Sequence, residues 1–139
     1  MSDLFSIFNT SASALTAQSV RLNTVASNMA NAATAASTPE ATYKSKQVLF
    51  QTVLDQNDPD RAAMPVRVAG IVDSNAQPIP TYEPNHPQAN QDGYVFRPAI
   101  SVVEEMANMM SASRSYEANV EVMNTSRQLL QRTLQVGQS

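Results

Sequence analysis

The sequence predicts a mainly α-helical and elongated protein. Long N- and C-terminal helices pair as an antiparallel coiled coil, and a small β-rich, proline-rich insert lies between them. Three observations predict this. A 3–4 apolar spacing runs unbroken through the last 36 or so residues, and a thinner one through the first 36. Only two charges, Asp3 and Arg21, occur in the first segment. All eight prolines fall between residues 37 and 100. The expected division is therefore 1–36 and 101–139 as one helical core domain, with 37–100 as insert and connector.

In the first segment, Phe8, Leu15, Leu22 and Met29 recur every seven residues. Leu4, Ser11, Gln18 and Val25 form the adjoining row, and Ala12, Ser19 and Ala26 a third. A thin apolar stripe flanked by small residues allows close helix–helix approach. Solvated helices usually carry more charge, so most of this circumference is expected to touch protein. Ser, Thr and Asn are poor helix formers. Alone, the helix predicted from about Asp3 to Ala36 is marginal, and it needs a partner to fold.

The middle reads as two strands, 47–54 and 66–73, the second with alternating apolar positions. The polar, proline-broken stretch 55–65 links them. The stretch YEPNHPQANQDGYV (82–95) then reads as an extended, polyproline-like connector stiffened by Pro84 and Pro87, with Asp92-Gly93 making a turn.

The last segment is stronger. Val102, Met106, Met109, Ser113, Tyr116, Val120, Met123, Arg127, Leu130 and Leu134 alternate spacings of four and three. Ser101 is the expected N-cap, with Glu104 completing a capping box. Glu104 and Glu105 suit the first turn of a helix dipole, and Gly137 is the stop. Such a helix spans about 54 Å. A compact globule of this length is only about 37 Å across, so the molecule should be elongated.

Composition excludes several functions. There is no cysteine, hence no disulfide, thiol catalysis or Cys-based zinc site. Net charge is −3, and the nine basic residues are scattered, so no nucleic-acid footprint forms. No window has the apolar length of a membrane span, and the N-terminus lacks the pattern of a cleavable signal peptide. His86, the only histidine, could bind metal with Glu83 and Asp92, but two bracketing prolines and the lack of a second histidine disfavour it. No nucleophile elbow or glycine-rich phosphate loop occurs. Met106, Met109, Met110 and Met123 follow the packing spacing rather than a soft-metal site. Ser113 and Arg127 interrupt the seam, either as buried register-setting groups or as solvent-exposed points. No enzyme activity and no cofactor are expected.

The motifs themselves resemble a known family. SALTAQSVRLNTVASNMANAAT (13–34) resembles the N-terminal motif of the bacterial flagellar axial proteins, which comprise rod, hook and hook-associated proteins. EEMANMMSASRSYEANVEVMNTSRQLLQRTLQVGQ (104–138) is similar to that family's C-terminal motif. STPEATYKSKQVLF (37–50) and YEPNHPQANQDGYV are similar to its short proximal rod members. The sequence departs from the family's pattern at Ala33-Thr34, Ala41-Thr42 and Ala99-Ile100.

The resemblance implies a structural rod subunit of the flagellar basal body. Its partners would be copies of itself, other rod proteins, the flagellar type III export apparatus, and the MS ring or a rod adaptor. It implies a periplasmic rod location, export without a cleavable signal, and terminal helices that order on assembly. Motif and periodicity together mark the expected helix-packing positions. These are Leu15, Leu22, Val25, Asn28, Met29 and Asn31 in the first helix, and Met106, Met109, Tyr116, Asn119, Val120, Met123, Leu130 and Leu134 in the last. Pro84, His86, Pro87, Asp92 and Gly93 are the connector positions.

Overall fold

Two helices of 30 and 36 residues carry the molecule. The computed structural model describes residues 2–53 and 64–137. In chain order the elements are α1 (Ser2–Asn31), β1 (Lys46–Thr52), β2 (Val66–Asp73), β3 (Ile79–Tyr82), β4 (Tyr94–Arg97) and α2 (Val102–Gly137). The accessible surface is 9566 Å², against about 7,100 Å² for a compact monomer of this mass.

α1 stops at Asn31, five residues before the expected end at Ala36. The alanines beyond it favour helix, but the last turn is closed by side chains. Asn31 Nδ2 donates to Ser27 O at 2.8 Å, and Thr34 Oγ1 donates to Asn31 O at 2.7 Å. Ala36 is then taken by the sheet, exchanging two 2.9 Å hydrogen bonds with Phe96. Tertiary pairing overrides propensity here.

α2 begins as the sequence predicts. Glu105 N donates to Ser101 O at 3.0 Å, and Glu104 N reaches Ser101 Oγ at a long 3.4 Å. Glu104 and Glu105 occupy the first turn, where the helix dipole favours them.

The insert is two separate two-stranded antiparallel sheets, β1–β2 and β3–β4. β1 pairs with β2 from Lys46↔Asp73 to Thr52↔Val66, with a register shift between Leu49 and Phe50. β2 matches the stretch 66–73, and β1 runs from one residue before the expected start to Thr52, with Leu54 of the expected 47–54 lying outside the described residues. The polar link between them lies outside the described residues, except Met64 and Pro65. β3 and β4 depart from the expectation, because the stretch 82–95 is the closed end of a hairpin, with residues 83–93 as its loop. Tyr82 pairs with Tyr94 across its base, and Pro80 sits opposite Phe96. Proline is tolerated because a two-stranded sheet has only edge strands.

Candidate assembly surface

α1 and α2 lie antiparallel. Asn28, near the end of α1, bonds to Glu105 at the start of α2. At the opposite end Leu4, Phe5 and Phe8 share a cavity of about 270 Å³ with Ser126, Arg127 and Leu130. The buried residues of the two helices are mostly small or polar. Ser11, Ala17, Thr24, Val25 and Asn28 are buried on α1, and Ala112 and Ser126 on α2.

Ala112 and Ser126 each stand one residue before Ser113 and Arg127 on the seam drawn from the sequence. The physical reason is size. A heptad line drawn through the bulkiest residues finds the most apolar stripe, but close helix approach selects the smallest side chains. Ser113 is half-buried and Arg127 exposed, so Arg127 is not a buried register-setting charge. Thr10 Oγ1 and Gln18 Oε1 are buried without a hydrogen-bond partner, which costs stability.

The marked positions separate into three groups. Val25 and Asn28 are buried inside the subunit. Leu15, Leu22, Met29, Asn31, Met109, Asn119, Val120, Met123 and Leu130 are half-buried. Met106, Tyr116 and Leu134 are exposed, together with Val103 at 78%, Met110 at 62% and Phe5 at 60%. The described hydrophobic core, by contrast, is Ala17, Val25, Ala36, Val95 and Ala112. Bulky apolar residues therefore lie mainly outside and small ones inside. Large contiguous apolar patches on a surface mark interaction sites.

Asn28 is the most connected side chain. Its Oδ1 accepts from Lys46 N at 2.8 Å and from Tyr43 OH at 3.0 Å. Its Nδ2 donates to Lys46 O at 2.9 Å and to Glu105 Oε2 at 3.2 Å. Ser27 Oγ and Tyr43 OH lie 3.1 Å apart. Asn28 was visible in the motif, but its partners lie 15 to 77 residues away, so nothing local reveals them. Farther along α1, Val66 N at the start of β2 donates to Ser13 Oγ at 3.1 Å.

Lys46 and Asp73 close the open end of the first hairpin with a 2.9 Å ion pair. Its hydrogen bond and charge hold the Lys46 ammonium above its ordinary pKa and the Asp73 carboxyl below its own. The pair is exposed, so it orients the strands more than it stabilises them.

The 83–93 loop is ordered by its own polar groups. Asn90 Oδ1 accepts from Asp92 N at 3.0 Å and Tyr94 N at 2.9 Å. Gly93 has φ +80° and is buried beneath Tyr82 and Pro84. His86 Nδ1 accepts from Gln88 N at 3.0 Å. Glu83 faces Arg97 at 3.0 Å, and Arg97 also donates to Ala33 O at 2.7 Å. The side chains of His86 and Glu83 thus have separate partners, and Asp92 contributes its backbone N–H to Asn90. Among the described residues no group of three or more His, Asp or Glu side chains converges. Pro84, Pro87 and Asp92 are exposed at the loop surface.

Sequence comparison places these features in a family. Residues 8–35 match the flagella basal body rod protein family, and residues 91–136 the C-terminal family of the flagellar basal body rod FlgEFG proteins. The flagellar basal-body rod protein FlgC of Escherichia coli O6:H1 is 47% identical over 135 residues, covering 97% of this chain and 98% of the relative. The chain belongs to the FlgC family of flagellar basal-body rod proteins. FlgC of Salmonella typhimurium is 46% identical over 97% of this chain and 98% of its own length. FlgC of Bacillus subtilis is 34% identical, covering 96% and 97%. The two family matches fall on α1 with its exit and on β4 with α2. In FlgC terms, the exposed Val103, Met106, Met110, Tyr116 and Leu134 lie in the segment that matches the C-terminal rod family.

Proposed function

We propose that the chain is a non-enzymatic structural subunit of the proximal rod, assembling with copies of itself and other rod proteins into the hollow shaft that transmits torque. Residues 1–36 and 101–139 form its inner core domain, an antiparallel coiled coil, and residues 37–100 lie outside that core. The chain is exported by the flagellar type III apparatus without a cleavable signal and works in the periplasmic space. Contacts with the MS ring or a rod adaptor complete its surroundings.

The observation that carries this reading is the inversion of the helix pair. An interior of alanine, serine and asparagine holds a monomer weakly, while Val103, Met106, Met110, Tyr116 and Leu134 stay exposed along α2. Burying such side chains stabilises by about 1.5–3 kcal/mol each, and within one subunit nothing covers them. Neighbouring subunits supply that cover. Val25 and Asn28, buried already, act within the subunit instead.

The test is complementation of a strain lacking the chain. Met106→Glu with Met110→Glu should leave secretion intact and abolish incorporation into basal bodies and swimming. Normal incorporation of this double variant would contradict the proposal.

A further inference from the structure

We infer that Asn28 is a latch that couples the seating of the insert on α1 to the pairing of α1 with α2. The inference rests on the rod reading above only for when the latch closes, namely as the terminal helices pair.

A carboxamide offers two donor hydrogens and an acceptor oxygen with two lone pairs. At Asn28 all four positions are taken, by three different parts of the chain, with the residue 2% exposed. Two of the bonds go to the N–H and C=O of Lys46. This is the two-bond exchange that a peptide group makes in an antiparallel pair. The side chain acts as an extra strand partner for the first residue of β1, whose cross-strand partner is Asp73 of β2.

The remaining donor hydrogen goes to Glu105 in the first turn of α2. That bond helps fix which way round the amide sits. Rotated by half a turn, Nδ2 would face the Lys46 N–H, and Oδ1 would face both the Lys46 carbonyl and the Glu105 carboxylate. All three contacts would then set like against like. Tyr43, donating to Oδ1 and standing beside Ser27, adds the loop before β1 to the same lock.

Before the helices pair, Glu105 is absent and the site is open to water, so the amide has no reason to prefer the strand over solvent. Once they pair, an unmatched amide would be buried, which is costly. Helix pairing and insert docking therefore favour each other, and the coupling is reciprocal. A chain with separated helices carries a loose insert. A chain with paired helices carries the insert at one fixed angle.

The test uses the full chain with Asn28→Asp, Glu105→Gln and the double variant. Asn28→Asp keeps the shape but sets carboxylate oxygen against the Lys46 carbonyl and the Glu105 carboxylate. Glu105→Gln alone still leaves an acceptor oxygen for Asn28. In the double variant the amide introduced on α2 can donate to the carboxylate introduced on α1. In basal bodies purified from a complemented strain, protease cleavage within the insert should speed up by about tenfold for Asn28→Asp. It should be unchanged for Glu105→Gln, and partly restored in the double variant, where only the Lys46 carbonyl still faces a carboxylate oxygen. If Asn28→Asp fails to incorporate, recovery of incorporation by adding Glu105→Gln supports the latch equally. No recovery in either readout, or normal cleavage in Asn28→Asp, overturns it. Absence of the unmodified chain from basal bodies would instead contradict the rod reading. Hydrogen exchange at β1 amides of the isolated variants, with the same rescue pattern required, then decides the latch by itself.

Discussion

The second hairpin and the helix pair are built on opposite plans. β3 and β4 have four residues each, yet one of them, Val95, is fully buried. Tyr82 and Tyr94 meet edge to face at 5.2 Å across the hairpin base, and Arg97 ties the loop to the exit of α1. The helices have 66 residues between them (30 and 36) and bury chiefly alanine, serine and threonine. Size and completeness of packing thus do not run together in this molecule. The small hairpin is ordered by its own contacts and by Ala33 and Ala36 at the exit of α1, while the long pair leaves bulky apolar side chains exposed.

The largest effect that would sharpen this contrast is expected at Gly93. A Cβ there would stand 2.8 Å from the Tyr82 ring and 3.2 Å from Pro84 Cβ, at φ +80°. Gly93→Ala should cost about 2–3 kcal/mol, seen as a fall in the urea midpoint. Gly70 has open space around its missing Cβ, so Gly70→Ala should cost far less. Equal effects at the two glycines would break the claim that the hairpin is locally specified.

Next comes the helix interface. Ala112 is fully buried, and Ala112→Leu should push the helices apart at a cost of about 1–3 kcal/mol, with loss of helical circular dichroism. Placing the bulky residue one position later, at half-buried Ser113, should be milder. The reverse order would restore the seam drawn from the sequence.

That seam shows what could be read in advance. Both helices were legible because heptad spacing survives over many turns, β2 because its apolar positions alternate, and β1 as a short stretch rich in strand-forming residues. Three features were not. The buried helix line is offset, because bulk and closeness of approach select different residues. β3 was hidden by Pro78 and Pro80, which suggest polyproline structure and give no sign of Phe96 waiting opposite. Asn28 stood in a recognisable motif, but its role depends on Lys46 and Glu105, which only the fold brings near. The bond between His86 Nδ1 and Gln88 N needed the loop's actual path.

Smaller effects follow. Gln18 Oε1 is buried without a partner, so Gln18→Leu should stabilise the isolated chain by about 1 kcal/mol, raising its urea midpoint. A drop would mean that the amide is better accommodated than its contacts indicate. The smallest effect is expected at Lys46–Asp73. The lowered Asp73 pKa means its contribution is present above 3.8 and lost as pH falls through the folded value. The raised Lys46 pKa means its contribution is present below 10.5 and lost above the folded value. Stability from this pair should therefore be flat across neutral pH, and Asp73→Asn should shift the neutral-pH midpoint immeasurably. A slope near neutrality that Asp73→Asn removes would show the pair to be less exposed than it is.

The most direct test concerns the uncovered face of α2. The chain has no cysteine, so Met110→Cys introduces a single thiol at a position 62% exposed. Its rate of maleimide labelling can be compared in the isolated chain, in intact basal bodies, and in basal bodies after denaturation. Rapid labelling of the isolated chain, strong protection in intact basal bodies and return on denaturation is the predicted result. Equally rapid labelling in intact basal bodies would contradict the claim that other subunits complete this helix pair.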